Sequence, residues 1–201
     1  MTVIHKVGNI VVKKIQDNKY SITKTPFFSD FLSAPHFQSV HENDDTIFFR
    51  ASAIQTLSQY LSGSNSINNV FCMKMIYDLG SQILFMERKA QGIPFFNLED
   101  IIVIDHHSFL FLNTEYTFSL DSQKNLEINR PFKLSKFSAP ELKSIQELPA
   151  ISSHKAIFYS LAAIILHCLQ VGLEVLKPTK LYFFLDRCLE EDPANRMFLY
   201  I

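Results

Sequence analysis

Apolar positions in the first quarter of the chain follow a period of two. Residues 3–25, beginning "VIHKVGNIVVKKIQDNKYSIT", are rich in Val and Ile and alternate in a strand-like way. The polar "QDNK" within them offers a turn, so the segment predicts a β-hairpin. "TPFFSDFLSAPHF" carries two prolines and has room for no more than a short helical turn. "TIFFR", Thr46 to Arg50, reads as a buried strand. The period then lengthens. "SAIQTLSQYLSG" opens on a Ser cap, closes on Gly63 and places Ile54, Leu57 and Leu61 on one helical face. "SINNVFCMKMIYDLGSQILFMERKAQG" predicts a long helix, with Val70, Met73, Ile76, Tyr77, Ile83 and Leu84 at helical spacing. "IIVID" and "SFLFL", separated by "HHS", predict a second hairpin. "YTFSLDSQKNLEINRPFKL" is mixed and predicts loop with one short strand. Helices are expected around 139–146, 155–170 and 178–190.

This pattern gives an α+β chain: strands first, then a mostly helical remainder interrupted by hairpins. Its 201 residues suit one compact domain or a two-lobed unit, and 19 phenylalanines supply ample core material. Basic and acidic residues number 19 and 20, for a net charge of −1, so bulk charge makes no case for nucleic acid or an anionic membrane. The basic groups in "KVGNIVVKKIQDNK" and "RKAQ" lack interleaved aromatics and read as solvated faces. Cys72, Cys168 and Cys188 lack the paired spacing of a zinc site and read as buried free thiols of a reducing compartment. The start shows no signal-peptide pattern, and "AIFYSLAAIILHCL" is too short to span a bilayer. An intracellular, cytoplasmic protein is expected. Asp105-His106-His107 would be a metal set only with a third ligand at a suitable spacing, and none is visible, so a hairpin turn is expected there.

One tripeptide changes the picture. Ala139-Pro140-Glu141, in "SKFSAPELKSI", is followed by "KAIFYSLAAIILHCL", which contains Tyr159-Ser160-Leu161, and by "LDRCLEEDPANR". In this order these resemble the protein kinase family: the end of its activation segment, the aromatic-Ser-Leu of its F helix and its "RCL..DP..R" turn. Upstream, "TLSQYL" resembles the short helix after the kinase hinge, and "FCMKMIYDLGSQILFMERKAQGI" the long E helix. The resemblance runs from about residue 54 to the end and is closest to divergent kinase-like proteins of large DNA viruses of eukaryotes. It implies a protein kinase-like fold with a reduced, strand-rich amino-terminal lobe over 1–50 and a mainly helical, shortened carboxy-terminal lobe over 51–201. It also implies a structural ion pair between Glu141 and Arg196.

The catalytic positions depart from the family. Phosphoryl transfer needs cradled phosphates, metal ligands and a base. Gly8 is the only glycine before Gly63, so no Gly-rich loop exists. The nucleotide-pairing lysine has one candidate, Lys13 in "IVVKK", which also reads as a solvated strand lysine. The catalytic His-Arg-Asp falls on Phe95-Phe96-Asn97, the metal-binding Asn falls on Asp100 only in a shortened loop, and the Asp of Asp-Phe-Gly falls on Asn113. The F-helix Asp that tethers the catalytic loop falls on Ile157. An apolar residue there suits the apolar Phe95-Phe96, as though tether and partner had been lost together.

Two spans are short. Roughly ten residues separate the F-helix segment from "TKLYFFLDRCL", and five follow Arg196. Some 50 upstream residues leave room for a few strands but not for a full five-stranded sheet with its helix. The resemblance with these losses implies a non-catalytic module, a pseudokinase, that binds or scaffolds a partner protein. It needs no cofactor and touches neither nucleic acid nor membrane. The alternative is a divergent active kinase that transfers phosphate from ATP to Ser/Thr with Mg²⁺, using Asp100, Glu99 or Glu115. A structural component of a virus particle on the same scaffold is a third reading.

Overall fold

The computed structural model describes residues 1–25, 38–63 and 65–199, and for 38–40 the backbone alone. The helical turn expected in "TPFFSDFLSAPHF" falls outside the described residues. The chain is mixed α+β. Its contacts divide it into two compact units, residues 1–65 with 98–115 and residues 66–97 with 116–201.

The first unit holds β1 (Thr2–Val7), β2 (Ile10–Gln16), β3 (Lys19–Thr23), β4 (Gln38–Glu42) and β5 (Thr46–Arg50) in one antiparallel sheet of order β1-β2-β3-β5-β4. Five strands thus fit where the length of this segment predicts fewer. The connections explain it. β1 and β2 are joined by Gly8-Asn9, β2 and β3 by Asp17-Asn18. Gly8 (φ 53°) and Asn18 (φ 57°) take the left-handed backbone that such tight hairpins require. Asn43 closes the β4–β5 turn, its Oδ1 accepting from Thr46 N at 2.9 Å.

Side-chain alternation gives this sheet two unlike faces. Val12, Ile22 and Ile47 are register partners across β2, β3 and β5 and are fully buried. They pack with Ile10, Tyr20 and Phe49 against a second sheet. That sheet is β6 (Ile54–Thr56), β8 (Ile101–Ile104) and β9 (Ser108–Phe111), in the order β6-β8-β9. The helix expected over "SAIQTLSQYLSG" therefore starts later, because Ile54–Thr56 pairs with β8. Its cap is Thr56, not Ser52. Thr56 Oγ1 accepts from Gln59 N at 3.1 Å, and Gln59 Oε1 accepts from Thr56 N at 3.0 Å. This capping box opens α1 (Leu57–Ser62).

The second unit is built on α2 (Asn69–Arg88), capped by Asn68 Oδ1 accepting from Phe71 N at 3.0 Å. Its buried face is Cys72, Met75, Ile76, Leu79, Ile83 and Met86; Val70 and Tyr77, expected on the apolar stripe, are exposed. The true stripe lies two residues round from Val70, where Asp78 and Gln82 are also buried. Lys74 Nζ donates to Asp78 at 2.8 Å and Gln82 Nε2 to the Asp78 carbonyl at 3.1 Å, which makes that burial tolerable. Gly80 lets the Phe198 ring pack against the helix, where a Cβ would meet Cζ at 2.6 Å.

Two short antiparallel pairs follow, β7 (Gln91–Gly92) with β10 (Phe118–Ser119) and β11 (Asn125–Ile128) with β12 (Ala150–Ser153). The expected carboxy-terminal helices are present as α3 (Pro140–Lys143), α4 (Ala156–Leu169) and α5 (Lys180–Cys188). A 3-10 turn, Leu173–Leu176, fills the short span between α4 and α5. The three cysteines are free and buried, and burial pushes each thiol up to about 12. No helix among the described residues is long and apolar enough to cross a membrane.

Candidate functional site

Pro140 starts α3 with a ring that needs no amide donor, and Glu141 follows in the first turn, where a carboxylate suits the helix dipole. Its side chain receives Arg196. Nη1 and Nη2 of the arginine donate to separate carboxylate oxygens, Nη2 at 2.8 Å. The guanidinium also donates from Nε to the Glu190 carbonyl at 2.6 Å and from Nη2 to the Glu191 carbonyl at 2.8 Å. It lies 5.1 Å from the centre of the Tyr159 ring. Arg196 is fully buried and Glu141 partly so, with 0% and 19% of their side chains exposed. A paired and fully hydrogen-bonded guanidinium can occupy such a place; an unpaired one cannot. The pair ties the "DPANR" turn and α4 to the segment that begins α3.

Phe95-Phe96-Asn97 belongs to the same unit. Phe95 lies in an apolar cluster with Phe118, Leu126, Ile128, Ala139 and Leu142. Its ring is 5.5 Å from Phe132 and 5.7 Å from Tyr116. Ile157, where the family resemblance expects a tethering Asp, is 2% exposed. The loop is tethered another way. Phe96 N donates to Ser160 Oγ of α4 at 2.8 Å, and Ser135 Oγ donates to the Phe96 carbonyl at 3.1 Å. Ser138 Oγ in turn accepts from Ser135 N at 2.9 Å. Sequence reading missed these serines as a group, although Ser160 stands inside the quoted aromatic-Ser-Leu. Hydroxyls this small satisfy a buried backbone without adding charge.

The other candidate positions lie in the first unit. Asn113 is 6% exposed, and its Oδ1 accepts from Glu115 N at 3.0 Å, forming a local turn. Glu115 packs over the β1–β2 turn, where a Cβ on Gly8 would meet its Oε1 at 2.6 Å. Asp100 is buried in the 3-10 turn Leu98–Asp100, and its carbonyl accepts from Leu112 N at 2.8 Å. Glu99 is exposed and accepts from Thr56 Oγ1 at 3.4 Å. Lys13 is the register partner of Ser21, one residue from the buried Val12. Alternation therefore points it away from the apolar cluster that joins the two sheets.

That cluster occupies the interior of the unit. Ile47 and Phe49 of "TIFFR" meet Ile102 and Ile104 of "IIVID", together with Ile22, Leu110 and Leu112, and none is more than 4% exposed. The cavities described in this unit open elsewhere, around Lys19 and Arg50.

Asp105-His106-His107 forms the β8–β9 turn, with Asp105 and His106 in left-handed backbone. Asp105 Oδ1 accepts from Ser52 N, Ser52 Oγ and Ala53 N at 2.5, 2.7 and 3.0 Å. Burial opposes its charge, but these bonds prevail and hold the carboxyl below the usual range. His106 tilts against Tyr60, their rings 5.8 Å apart. Among the described residues no group of three or more His, Cys, Asp or Glu side chains is arranged to hold a metal ion. No family model and no curated protein matches the chain.

Proposed function

We propose that this chain is a non-catalytic, kinase-like module, a pseudokinase, that works by binding or scaffolding a partner protein in the cytoplasm or in a virus particle. The observation that carries the reading is the closed apolar cluster of the first unit. A nucleotide between the five-stranded sheet and the β8–β9 hairpin would need the volume that Ile22, Ile47, Phe49, Ile102 and Leu110 fill.

Other features point the same way. The family takes its phosphate-pairing lysine from the third strand. Here β3 ends on Thr23, whose Oγ1 accepts from Val11 N at 3.0 Å, and Lys24 beyond it is held by Glu42 at 2.9 Å. The base position is Asn97 and a metal position is Asn113; neither amide supplies a carboxylate's charge. Phe95 and Ile157 replace polar catalytic-loop groups with mutual packing, while the Glu141–Arg196 clamp is complete. A five-stranded antiparallel sheet early in the chain and helices in its later part are compatible with this α+β reading.

A phosphotransfer assay with labelled ATP, Mg²⁺ or Mn²⁺ and a generic Ser/Thr substrate tests the non-catalytic half. No label on substrate or on the chain itself is expected. Turnover that disappears in Asp100→Asn or Glu115→Gln would establish the divergent active kinase instead.

A further inference from the structure

We propose that the outer face of the five-stranded sheet docks an acidic segment of a partner protein, with Lys19 and Arg50 holding a carboxylate and the adjoining recess taking an apolar side chain. The proposal rests on the protein-binding reading, but its test uses no nucleotide, so either can fail alone.

Lys19 on β3 and Arg50 on β5 are register partners, so both side chains stand on one face with Cβ atoms roughly 5 Å apart. Like charges directly opposite in a sheet destabilise it. Both side chains are exposed, and neither makes a hydrogen bond or ion pair among the described residues. Six cations elsewhere in the chain, Lys14, Lys24, Lys74, Lys124, Lys177 and Arg196, each have a carboxylate within 3.4 Å; what sets Lys19 and Arg50 apart is that two cations without one face each other across the sheet. The nearby acids are committed: Asp17 to Lys14 at 3.4 Å, and Asp105 Oδ1 to three donors of Ser52 and Ala53. Lys13 stands on the same face, in the row Lys13–Ser21–Phe48–His41 across β2, β3, β5 and β4.

Lys19 and Arg50 also line a recess of about 450 Å³ whose walls include Ile15, His41 and Phe48. A cation pair beside an apolar recess fits a carboxylate followed by an aliphatic side chain. Arg50 offers a planar fork and Lys19 a mobile ammonium to the same anion. Phe48 is half-buried and stacks on His41, rings 6.3 Å apart and inclined by 29°, so the rings face each other instead of offering a platform for bases. An acidic peptide is thereby favoured over nucleic acid.

The test is fluorescence anisotropy on the full chain with a labelled peptide of glutamates interrupted by two leucines. Its controls are the same peptide with Gln for Glu and a single-stranded oligonucleotide. The acidic peptide should bind, should weaken with added salt, and should weaken by about tenfold in Lys19→Gln/Arg50→Gln. The double variant should melt no lower than the parent, because it removes a like-charge opposition. The proposal is overturned if the acidic peptide fails to bind or if its affinity is unchanged in the double variant. Equal binding of the glutamine peptide, or preference for the oligonucleotide, also overturns it.

Discussion

Replacing Glu141 by Ala isolates the most buried charge described in the molecule. Arg196 would keep its bonds to the Glu190 and Glu191 carbonyls and its place over Tyr159, but would lose both bonds to the carboxylate and the charge that balances it. Removing one partner of a buried ion pair costs about 3–5 kcal/mol. Glu141 is 19% exposed, so water can reach part of the vacated space, and the two remaining carbonyl bonds offset some of the loss. The expected loss is therefore at the low end, about 3 kcal/mol. For a chain of this size that is a fall in Tm of about 6–12 °C. Urea unfolding followed by circular dichroism, with the slope m unchanged, measures it. Glu141→Leu combined with Arg196→Met should recover most of the loss, because an apolar pair of similar volume leaves no orphaned charge. A loss below about 0.5 kcal/mol for Glu141→Ala, the range of ordinary surface changes, would refute the clamp.

Ser160→Ala strands the Phe96 amide in a fully buried place and should cost about 1–3 kcal/mol in the same assay, whereas Ser160→Thr, which keeps the hydroxyl, should cost less. Gly80→Ala gains up to about 1 kcal/mol of helix propensity but drives a methyl into the Phe198 ring, which Phe158 and Phe184 confine at 5.2 and 5.3 Å; net destabilisation by thermal melting is expected. Burial lowers the His154 pKa despite the opposing attraction of Glu87, and burial lowers His167 in the same direction, with Lys136 adding to it. A depressed imidazole means the unfolded chain binds more protons. The stability from these groups is thus present above the unfolded value near 6.5 and lost as pH falls through the folded values. Tm should fall on going from pH 7.5 to 5.5, and His154→Gln should flatten that slope.

β5, the β8–β9 hairpin and the three late helices were legible in the sequence because their apolar periods matched their burial, and the long α2 was legible in its extent. What misled was local. The β1–β2 turn at Gly8-Asn9 sits inside a run of strand-formers and reads as continuous with it. The β4 sequence "QSVHE" carries a single large apolar residue, as an edge strand with one neighbour can. Ile54–Thr56 has helical spacing with Leu57 and Leu61, yet pairing with β8 overrides that propensity. In α2 the stripe was misplaced because Asp78 and Gln82 are buried and Val70 and Tyr77 are not. At the candidate site, Glu141 and Arg196, 55 residues apart, were found through an ordered set of motifs and are bonded in the structure. The serine tethers of the Phe95-Phe96 loop were not found. A hydroxyl bonding to backbone leaves no charge or spacing signature, and only the fold brings Ser135 and Ser160 to one peptide.

The proposed kinase-like reading stands or falls with whether the apolar cluster of the first unit excludes a nucleotide. Thermal unfolding of the full chain with ATP and Mg²⁺ or Mn²⁺, titrated to millimolar nucleotide, tests it most directly. Tm should be unchanged by nucleotide. A metal-dependent rise of about 5–10 °C at saturation, corresponding to about 2.7 kcal/mol at a hundred times the Kd, would contradict it.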